Sequence, residues 1–264
     1  MKGEKIYLPK AVLFLHAFPL NKGMFKYQFP VLERERIPYI AIDYPGFGEG
    51  PLPIEDDPTF ESYTDYIVWK LKELNVKKVI AVGVSMGGYI MFDLFKRYRD
   101  LIDGLIFVAT RAEADDEERK KQRYILAEKV LKEGKEFLIE AMLEAQTSPA
   151  TKKDAKKMEE LRCIMNEATE EGIAAALRAM AKRPDYTPIL KDMDVPTLVI
   201  AGKDDTKVTP PEIVKRICDE SNCSLYLEIP DAAHLPPFEN PEEFNKKVIP
   251  WIKNVLTDGH PDCL

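Results

Sequence analysis

Short, predominantly apolar segments that alternate with amphipathic ones restrict the fold of this sequence more than any other feature. Segments such as AVLFLH (11–16), VIAVGV (79–84) and VPTLVIAG (195–202) are typical of strands that are buried on both faces of a parallel sheet. Between such segments, apolar residues recur at helical spacing, for example in residues 57–75. Repeated β-α-β units place helices over both faces of one sheet. The sequence therefore predicts an α/β protein with a mostly parallel sheet flanked by helices.

Prolines and one aspartate define the expected limits of three helices. Asp57 followed by Pro58 has the form of an N-cap and a first helical residue. Pro30 lies in the helical stretch 24–36 and either kinks that helix or marks its start. Pro250 lies inside the last predicted helix and should kink it.

Residues 111–188 differ from the rest of the chain because they show no strand pattern. Only amphipathic helices are predicted there, such as EERKKQRYILAEKVLKEG and EEGIAAALRAMAKR. Strands and helices alternate again after this stretch. We therefore divide the chain into a first part of an α/β core (1–110), a helical insertion (111–188) and a second part of the core (189–264).

Composition and charge argue against several classes of partner. The 264 residues include 38 Lys and Arg against 45 Asp and Glu, a net charge of −7, and no basic face for nucleic acid stands out. The chain contains neither the Gly-x-x-x-x-Gly-Lys loop nor the Gly-x-Gly-x-x-Gly fingerprint of nucleotide-binding proteins. Lys and Glu residues three or four apart on the predicted helices indicate a thermophilic source.

Cysteine spacing and the length of the apolar runs indicate a cytoplasmic protein. Cys163, Cys218, Cys223 and Cys263 lack the paired spacing of metal sites. We expect free thiols, although a bridge between Cys218 and Cys223 is open. The apolar run 11–15 is too short for the core of a signal peptide, and no segment is long enough to span a bilayer. We therefore expect no membrane contact.

One serine lies at the junction of a predicted strand and a predicted helix. Gly83-Val84-Ser85-Met86-Gly87 matches G-x-S-x-G in the strand-turn-helix context that this motif requires. Such a sharp turn forces the serine into an unfavourable backbone conformation and holds its hydroxyl beside the first amides of a helix. Ser85 is therefore a candidate nucleophile, with a capping serine in a tight turn as the alternative.

A serine nucleophile needs a base, and three histidines are available. His16 ends the first strand and suits a structural or oxyanion-loop role. His260 lies in a polar tail. His234 follows the last strand, so we expect it on a loop at the carboxyl edge of the sheet, where sites collect in open α/β sheets. His234 is the candidate base.

The base in turn needs a carboxylate that orients it. Asp204 and Asp205 come directly after the predicted strand that ends near Gly202. The order serine, aspartate, histidine along the chain is the order described for triads of this fold class. One aspartate should point into the site, and the other caps the turn or the next helix.

Four segments resemble motifs of the α/β-hydrolase superfamily. LHAFPLNKGMF is similar to its oxyanion loop, and IDYPGFGEG is similar to its Asp-x-Pro-Gly-x-Gly loop. GVSMGGY resembles the nucleophile elbow, and AHLPPFENPEEF resembles the histidine loop. Within the superfamily, the chain is similar to the branch of 3-oxoadipate enol-lactonases and small-molecule carboxylesterases. The resemblance implies an α/β-hydrolase fold in which residues 111–188 form a cap.

The resemblance also implies roles for individual residues. The family's acid lies three residues after the glycine that ends its strand, which selects Asp205, with Asp204 as the second choice. The backbone N–H groups of Phe18 and Met86 would form the oxyanion hole. Ala17 stands where the family has glycine, so it would be strained if this position needed a positive φ.

Apolar residues near these motifs are candidates for the lining of a substrate pocket, although each also suits the core. They are Leu20, Met24, Phe25 and Tyr89. The glycines of DYPGFGEG suit tight turns, and we interpret that loop as structural.

Together these residues predict hydrolysis of small-molecule carboxylic esters through an acyl-enzyme, with neither a metal nor an organic cofactor. An enol-lactonase or a cofactor-free perhydrolase would use the same three residues. A non-catalytic ligand-binding protein on this fold is a further alternative. The natural substrate and the oligomeric state are left open.

Overall fold

The computed structural model describes residues 9–53, 55–222 and 224–258, and these residues contain one six-stranded sheet. Its strands are β1 (Lys10–Leu15), β2 (Tyr39–Ile42), β3 (Lys78–Val84), β4 (Ile102–Val108), β5 (Thr197–Gly202) and β6 (Ser224–Ile229). The spatial order is β2-β1-β3-β4-β5-β6, and every neighbouring pair is parallel. All carboxyl ends therefore lie at one edge, with β1, β3 and β4 adjacent near the middle.

Helices cover both faces of the sheet. They are α1 (Phe29–Arg34), α2 (Phe60–Glu73), α3 (Met86–Tyr98), α9 (Pro211–Glu220), α10 (Pro236–Glu239) and α11 (Pro241–Asp258). Successive strand residues point to opposite faces, so Leu13 and Leu15 of β1 join a buried cluster with α2, α3 and α9. Val12 and Phe14 join a second cluster with α1 and α11. The strands are apolar along nearly their whole length because their two faces pack into two different buried clusters.

The register of the central strands aligns the loops that follow them. Leu15 of β1 pairs with Gly83 of β3, and Gly83 pairs with Phe107 of β4. The segments that follow these three residues consequently leave the sheet side by side.

Five α-helices and one 3₁₀ helix (Thr187–Asp192) lie between β4 and β5, and the α-helices lie inside the predicted insertion. They are α4 (Glu117–Glu133), α5 (Glu136–Gln146), α6 (Pro149–Lys152), α7 (Ala155–Asn166) and α8 (Glu170–Lys182). A close backbone contact fixes this insertion to the core. A Cβ atom added to Gly46, whose φ is +86°, would lie 2.3 Å from Cα of Gly172 in α8. The division of the chain into core and cap stays a prediction.

The first residues of α1 and α2 test what the sequence predicted for Pro30 and Asp57. Residues 22–25 form a separate 3₁₀ turn, and α1 begins at Phe29 with Pro30 in its first turn, so Pro30 marks the helix start. The prediction of Asp57 as an N-cap is wrong, because α2 begins at Phe60 and its N-cap is Thr59. Asp57 instead contacts Lys182 of α8 through both its carboxylate, at 2.8 Å, and its carbonyl, at 2.7 Å. This tertiary contact holds Asp57 in the chain before the helix.

The remaining expectations concern the C-terminal part and the cysteines. Helix α11 continues through Pro250. Cys163 and Cys218 are free thiols. His260 lies outside the described residues, and so does Cys223, one of the two cysteines of the possible bridge. Among the helices of the described ranges, none is long and apolar enough to cross a membrane.

Candidate active site

Ser85 occupies a strained turn between β3 and α3. Its φ of 51° and ψ of −109° lie in a region that non-glycine residues rarely adopt, and such a conformation costs about 1–3 kcal/mol. Two hydrogen bonds with the end of β4 and the residues after it hold Ser85 in place. The Ser85 N–H donates to the carbonyl of Val108 at 2.9 Å, and the Thr110 hydroxyl donates to the Ser85 carbonyl at 2.8 Å. The Ser85 side chain remains partly exposed.

The glycines around Ser85 allow the backbone to pass close by. A Cβ atom on Gly87 would lie 2.2 Å from the carbonyl oxygen of Leu15, and one on Gly83 would lie 2.6 Å from the carbonyl carbon of Gly87. Real Cβ atoms do not approach backbone atoms so closely, so only glycine lets β1, β3 and α3 meet at this point. The glycines of the G-x-S-x-G pattern are thus explained by close packing around a partly exposed serine.

His234 and Asp205 form a completely buried pair at the carboxyl edge of the sheet. Nδ1 of His234 lies 2.6 Å from Oδ2 of Asp205. The Asp205 carboxylate also accepts hydrogen bonds from the N–H groups of Val208 at 3.0 Å and Thr209 at 3.1 Å. Burial alone raises the pKa of Asp205, but His234 and the two amides outweigh it, so this pKa lies below its usual value.

An ionised Asp205 determines which tautomer His234 adopts. A carboxylate only accepts, so Nδ1 must carry the proton and donate it to Asp205. In the neutral form of the ring Nε2 is the unprotonated nitrogen, and it is buried without a hydrogen-bond partner among the described residues. Of the two neighbouring aspartates, Asp205 is therefore the one in contact with His234. The Asp204 N–H donates to the carbonyl of Ala232, after β6, and the Asp204 carbonyl accepts from the Thr206 N–H in the turn after β5.

A buried glutamate, Glu239, was missed by the sequence analysis. Its Oε1 accepts hydrogen bonds from the N–H groups of Ala233 at 2.8 Å and Leu235 at 3.0 Å, the residues on either side of His234. Its Oε2 accepts from the Ser148 N–H at 2.6 Å and the Thr151 hydroxyl at 2.8 Å. One carboxylate therefore ties the histidine loop to the insertion. An acidic residue within the apolar run HLPPFE was the only local signal.

Gln146, at the end of α5, was also missed, and it contacts both sides of the site. Its carbonyl accepts from the His234 N–H at 3.0 Å. Its side-chain Nε2 donates to the Phe18 carbonyl at 2.7 Å. No sequence pattern marks this residue, because both partners are more than 80 positions away.

The two amides predicted for an oxyanion hole are available as donors. The N–H groups of Phe18 and Met86 donate to no other residue in the described part of the chain. Ala17 does not have a positive φ, so alanine replaces the family's glycine without backbone strain. Met86 is the first residue of α3, where the helix dipole favours negative charge.

His16 and Asp43 organise the loops next to this site. The backbone N–H of Tyr44 donates to Nε2 of His16 at 3.2 Å, so the proton of the neutral ring lies on Nδ1, which donates to the Ala17 carbonyl at 3.1 Å. Burial lowers the pKa of His16 to about 4. Asp43 accepts from the N–H groups of Lys22 at 2.7 Å and Glu49 at 2.9 Å. These contacts hold the two loops together and agree with a structural role for DYPGFGEG.

The four candidate pocket residues lie in two different clusters. Leu20, Met24 and Phe25 are completely buried in the cluster that α1 and α11 cover, and Phe25 packs against Phe14 with ring centroids 4.9 Å apart. Tyr89 lies in the other cluster, one helical turn after Ser85. A role in lining the pocket stays a prediction for all four.

No group of three or more His, Cys, Asp or Glu side chains within residues 9–53, 55–222 and 224–258 is arranged to hold a metal ion.

A comparison with known protein families agrees with the parallel sheet and with the turn at Ser85. The chain matches the alpha/beta hydrolase fold family over residues 10–241, and it belongs to that family. The predicted superfamily and fold class are therefore confirmed.

Individual relatives are hydrolases. A solved structure described as a thermophilic esterase from Thermogutta terrifontis, with malate bound, has 35% sequence identity and a TM-score of 0.89, with 95% of this chain and 92% of that chain covered. The 3-oxoadipate enol-lactonase 1 of Acinetobacter baylyi is 26% identical over 251 residues, 93% of this chain and 89% of the relative. A 2-hydroxy-6-oxo-6-(2'-aminophenyl)hexa-2,4-dienoic acid hydrolase of Metapseudomonas resinovorans is 29% identical over 241 residues, 88% of this chain and 79% of the relative. The chain is thus a hydrolase similar to esterases and enol-lactonases.

Proposed function

We propose that this protein cleaves carboxylic esters of small molecules, with Ser85, His234 and Asp205 as its catalytic residues. The observation that carries the proposal is the buried 2.6 Å contact between His234 Nδ1 and Asp205 Oδ2, at the sheet edge where Ser85 occupies its strained turn. An ionised carboxylate that orients an imidazole at the same edge of the sheet as a serine hydroxyl is the arrangement that activates a serine nucleophile.

In the first half of the reaction, Ser85 Oγ attacks the ester carbonyl carbon and its proton passes to His234 Nε2. Asp205 remains ionised and stabilises the imidazolium that forms. The carbonyl oxygen becomes an oxyanion, to which the N–H groups of Phe18 and Met86 donate. The tetrahedral intermediate then expels the alcohol, which takes the proton from Nε2, and an acyl-enzyme remains.

In the second half, a water molecule transfers a proton to His234 Nε2 and attacks the acyl carbon. The same two amides hold the second oxyanion. Release of the carboxylic acid returns the proton to Ser85 Oγ. Each donor of an oxyanion hole typically supplies about 2.7–4 kcal/mol of stabilisation to the transition state.

A lactonase or a perhydrolase would use the same residues, since they differ in the acyl substrate or in the attacking molecule. Similarity to an enol-lactonase over 93% of this chain supports the lactonase as the second candidate. Rates for linear esters, for lactones and for peracid formation from hydrogen peroxide would separate the three activities.

The decisive experiment replaces Ser85 with alanine and measures hydrolysis of p-nitrophenyl acetate and butyrate. We expect a loss of about a million-fold in rate in a protein whose circular dichroism is unchanged. Ser62→Ala is the matched control, because it removes a hydroxyl from helix α2 at the surface. Unchanged turnover in Ser85→Ala would refute the proposal.

A fluorophosphonate probe tests the non-catalytic alternative. An activated Ser85 reacts covalently with this reagent, whereas a serine in a mere binding protein does not. We expect one label per chain in the wild type and none in Ser85→Ala. Absence of labelling in the wild type would favour a ligand-binding protein.

A further inference from the structure

Gln146, the last residue of α5, is a buried residue that contacts two loops of the proposed active site through separate groups. Its backbone carbonyl accepts from the His234 N–H at 3.0 Å. Its side-chain Nε2 donates to the Phe18 carbonyl at 2.7 Å. A side-chain amide turned by 180° would place Oε1 against the Phe18 carbonyl, and two acceptors cannot form this bond. A change of the side chain therefore acts on Phe18 and leaves the backbone bond to His234 in place.

The two carbonyls on either side of the Phe18 N–H orient this amide. The Ala17 carbonyl belongs to the same planar peptide unit as the Phe18 N–H, and it accepts from His16 Nδ1 at 3.1 Å and from the Leu20 N–H at 2.9 Å. Both donors come from the same loop. The Phe18 carbonyl accepts from Gln146 and from no other residue in the described part of the chain. Gln146 is thus the donor by which the insertion holds the Phe18 backbone.

The two amides predicted for the oxyanion hole differ in how they are supported. Met86 is the first residue of α3 and directly follows Ser85, whose turn is hydrogen-bonded to the end of β4 and to Thr110. Phe18 lies in the loop of residues 16–21, between β1 and the 3₁₀ turn that starts at Lys22. Loss of the contact with the insertion should consequently displace one donor and leave the other unchanged.

The segment that carries Gln146 is itself fixed to the histidine loop. Oε2 of Glu239 accepts from the Ser148 N–H at 2.6 Å and from the Thr151 hydroxyl at 2.8 Å. Oε1 of the same carboxylate accepts from the two amides on either side of His234. Residues 146–151 are thereby held in a defined position relative to the base. The Gln146 side chain transfers that position to the loop of residues 16–21.

We propose that Gln146 is a positioning residue for the oxyanion hole, because its Nε2 holds the Phe18 backbone so that the Phe18 N–H faces the developing oxyanion. It acts through Phe18 and not on the reacting atoms. This inference rests on the proposed ester hydrolysis and adds one residue to its machinery. Removal of a whole oxyanion donor typically lowers kcat by about 100- to 1,000-fold, and a displaced donor loses part of this effect. Gln146→Leu should therefore lower kcat for p-nitrophenyl butyrate by about 10- to 100-fold, with KM changed by less than about threefold.

A transition-state analogue distinguishes positioning from a general loss of structure. Butyl trifluoromethyl ketone adds to the proposed nucleophile: the Ser85 oxygen forms a bond to the ketone carbon, its proton passes to His234 Nε2, and the ketone oxygen becomes an oxyanion in the hole. Butyl methyl ketone has the same chain but binds as the neutral ketone. In Gln146→Leu, we expect the inhibition constant of the trifluoromethyl ketone to rise about 10- to 100-fold and that of the methyl ketone by less than about threefold. Unchanged inhibition by the trifluoromethyl ketone in the folded variant would overturn the inference.

Gln28→Leu is the matched control, because Gln28 is also a buried glutamine whose Nε2 donates to a backbone carbonyl, that of Pro237 at 3.0 Å. Oε1 of both glutamines is buried without a partner among the residues that the structure describes. Both substitutions should lower the melting temperature, since each leaves a buried carbonyl without its donor. Only Gln146→Leu should weaken inhibition by the trifluoromethyl ketone. An equal weakening in both variants would mean a general loss of structure and would refute the assignment.

Measurements on the wild type separate failure of this inference from failure of the proposed function. A wild type that neither hydrolyses p-nitrophenyl butyrate nor is inhibited by the trifluoromethyl ketone would contradict the proposed function, and this inference with it. A wild type that does both, with the same inhibition constants in Gln146→Leu, would contradict this inference alone. Gln146→Met, which has a similar length and no donor, takes the place of Gln146→Leu if that variant does not fold.

Discussion

Replacement of Glu239 by glutamine should separate the stability of this protein from its activity. The Glu239 carboxylate accepts four hydrogen bonds, two from the histidine loop and two from the insertion. A glutamine has the same shape but only one oxygen, so its NH₂ group must face two of these donors. The Thr151 hydroxyl can reverse its role and accept, whereas the Ser148 N–H cannot. We therefore expect the NH₂ group to face the insertion and to leave the Ser148 N–H unpaired.

The expected loss of unfolding free energy in Glu239→Gln follows from this count of hydrogen bonds. One unpaired buried N–H costs about 1–3 kcal/mol, and the remaining bonds lose the additional strength that a charged acceptor provides. Relief of the burial of a charge offsets part of this loss, so the free energy of unfolding should fall by about 2–4 kcal/mol. For a domain of this size, the melting temperature should fall by about 4–16 °C.

Activity should respond differently to the two substitutions available at this position. Glu239→Gln keeps an oxygen on the amides of Ala233 and Leu235, so kcat should fall by less than about tenfold. Glu239→Ala releases both amides and allows His234 to move, and a displacement of about 1 Å of a catalytic group lowers the rate by about 100-fold. The assay is thermal unfolding by circular dichroism together with p-nitrophenyl butyrate hydrolysis.

Glu242→Gln provides the control, because the same chemical change is made at an exposed position in the first turn of α11. Its melting temperature should stay within about 2 °C of the wild type. A similarly small shift in Glu239→Gln would show that the carboxylate does not link the histidine loop to the insertion, and the reasoning would be refuted.

Two further predictions concern the histidines. Asp205→Asn should lower kcat by about 10⁴-fold, because an amide no longer stabilises the tautomer of His234 or its imidazolium. Asp204→Asn, measured in the same assay, should change kcat by less than about threefold. An equal loss of kcat in both variants would contradict the choice of Asp205. His16 has a pKa of about 4 in the folded protein against 6.5 as its ordinary value, so the unfolded state binds more protons between these values. The free energy of unfolding should therefore fall by about 3 kcal/mol as the pH is lowered from 6.5 to 4. In urea titrations at pH 7 and pH 4, His16→Asn should lose about 3 kcal/mol less than the wild type, and an identical loss would exclude His16 as the cause.

Much of the fold was predictable because its determinants are local in sequence. Buried parallel strands and amphipathic helices differ in apolar periodicity, so the strand and helix order follows from the chain alone. The turn at Ser85 was recognisable for the same reason, since its glycines and serine lie within five residues. The Asp57 prediction failed because a contact with Lys182, 125 positions away, competes with the local capping signal.

The sequence by itself determined the α/β class, the strained serine turn and the loops that could hold a base and an acid. Only the tertiary structure decided that Asp205 rather than Asp204 contacts His234, because adjacent side chains in a turn point in different directions. It also disclosed Glu239 and Gln146, whose partners lie far away in the chain. Hydrogen-bond satisfaction of buried groups is a property of the packed molecule, and no local pattern encodes it.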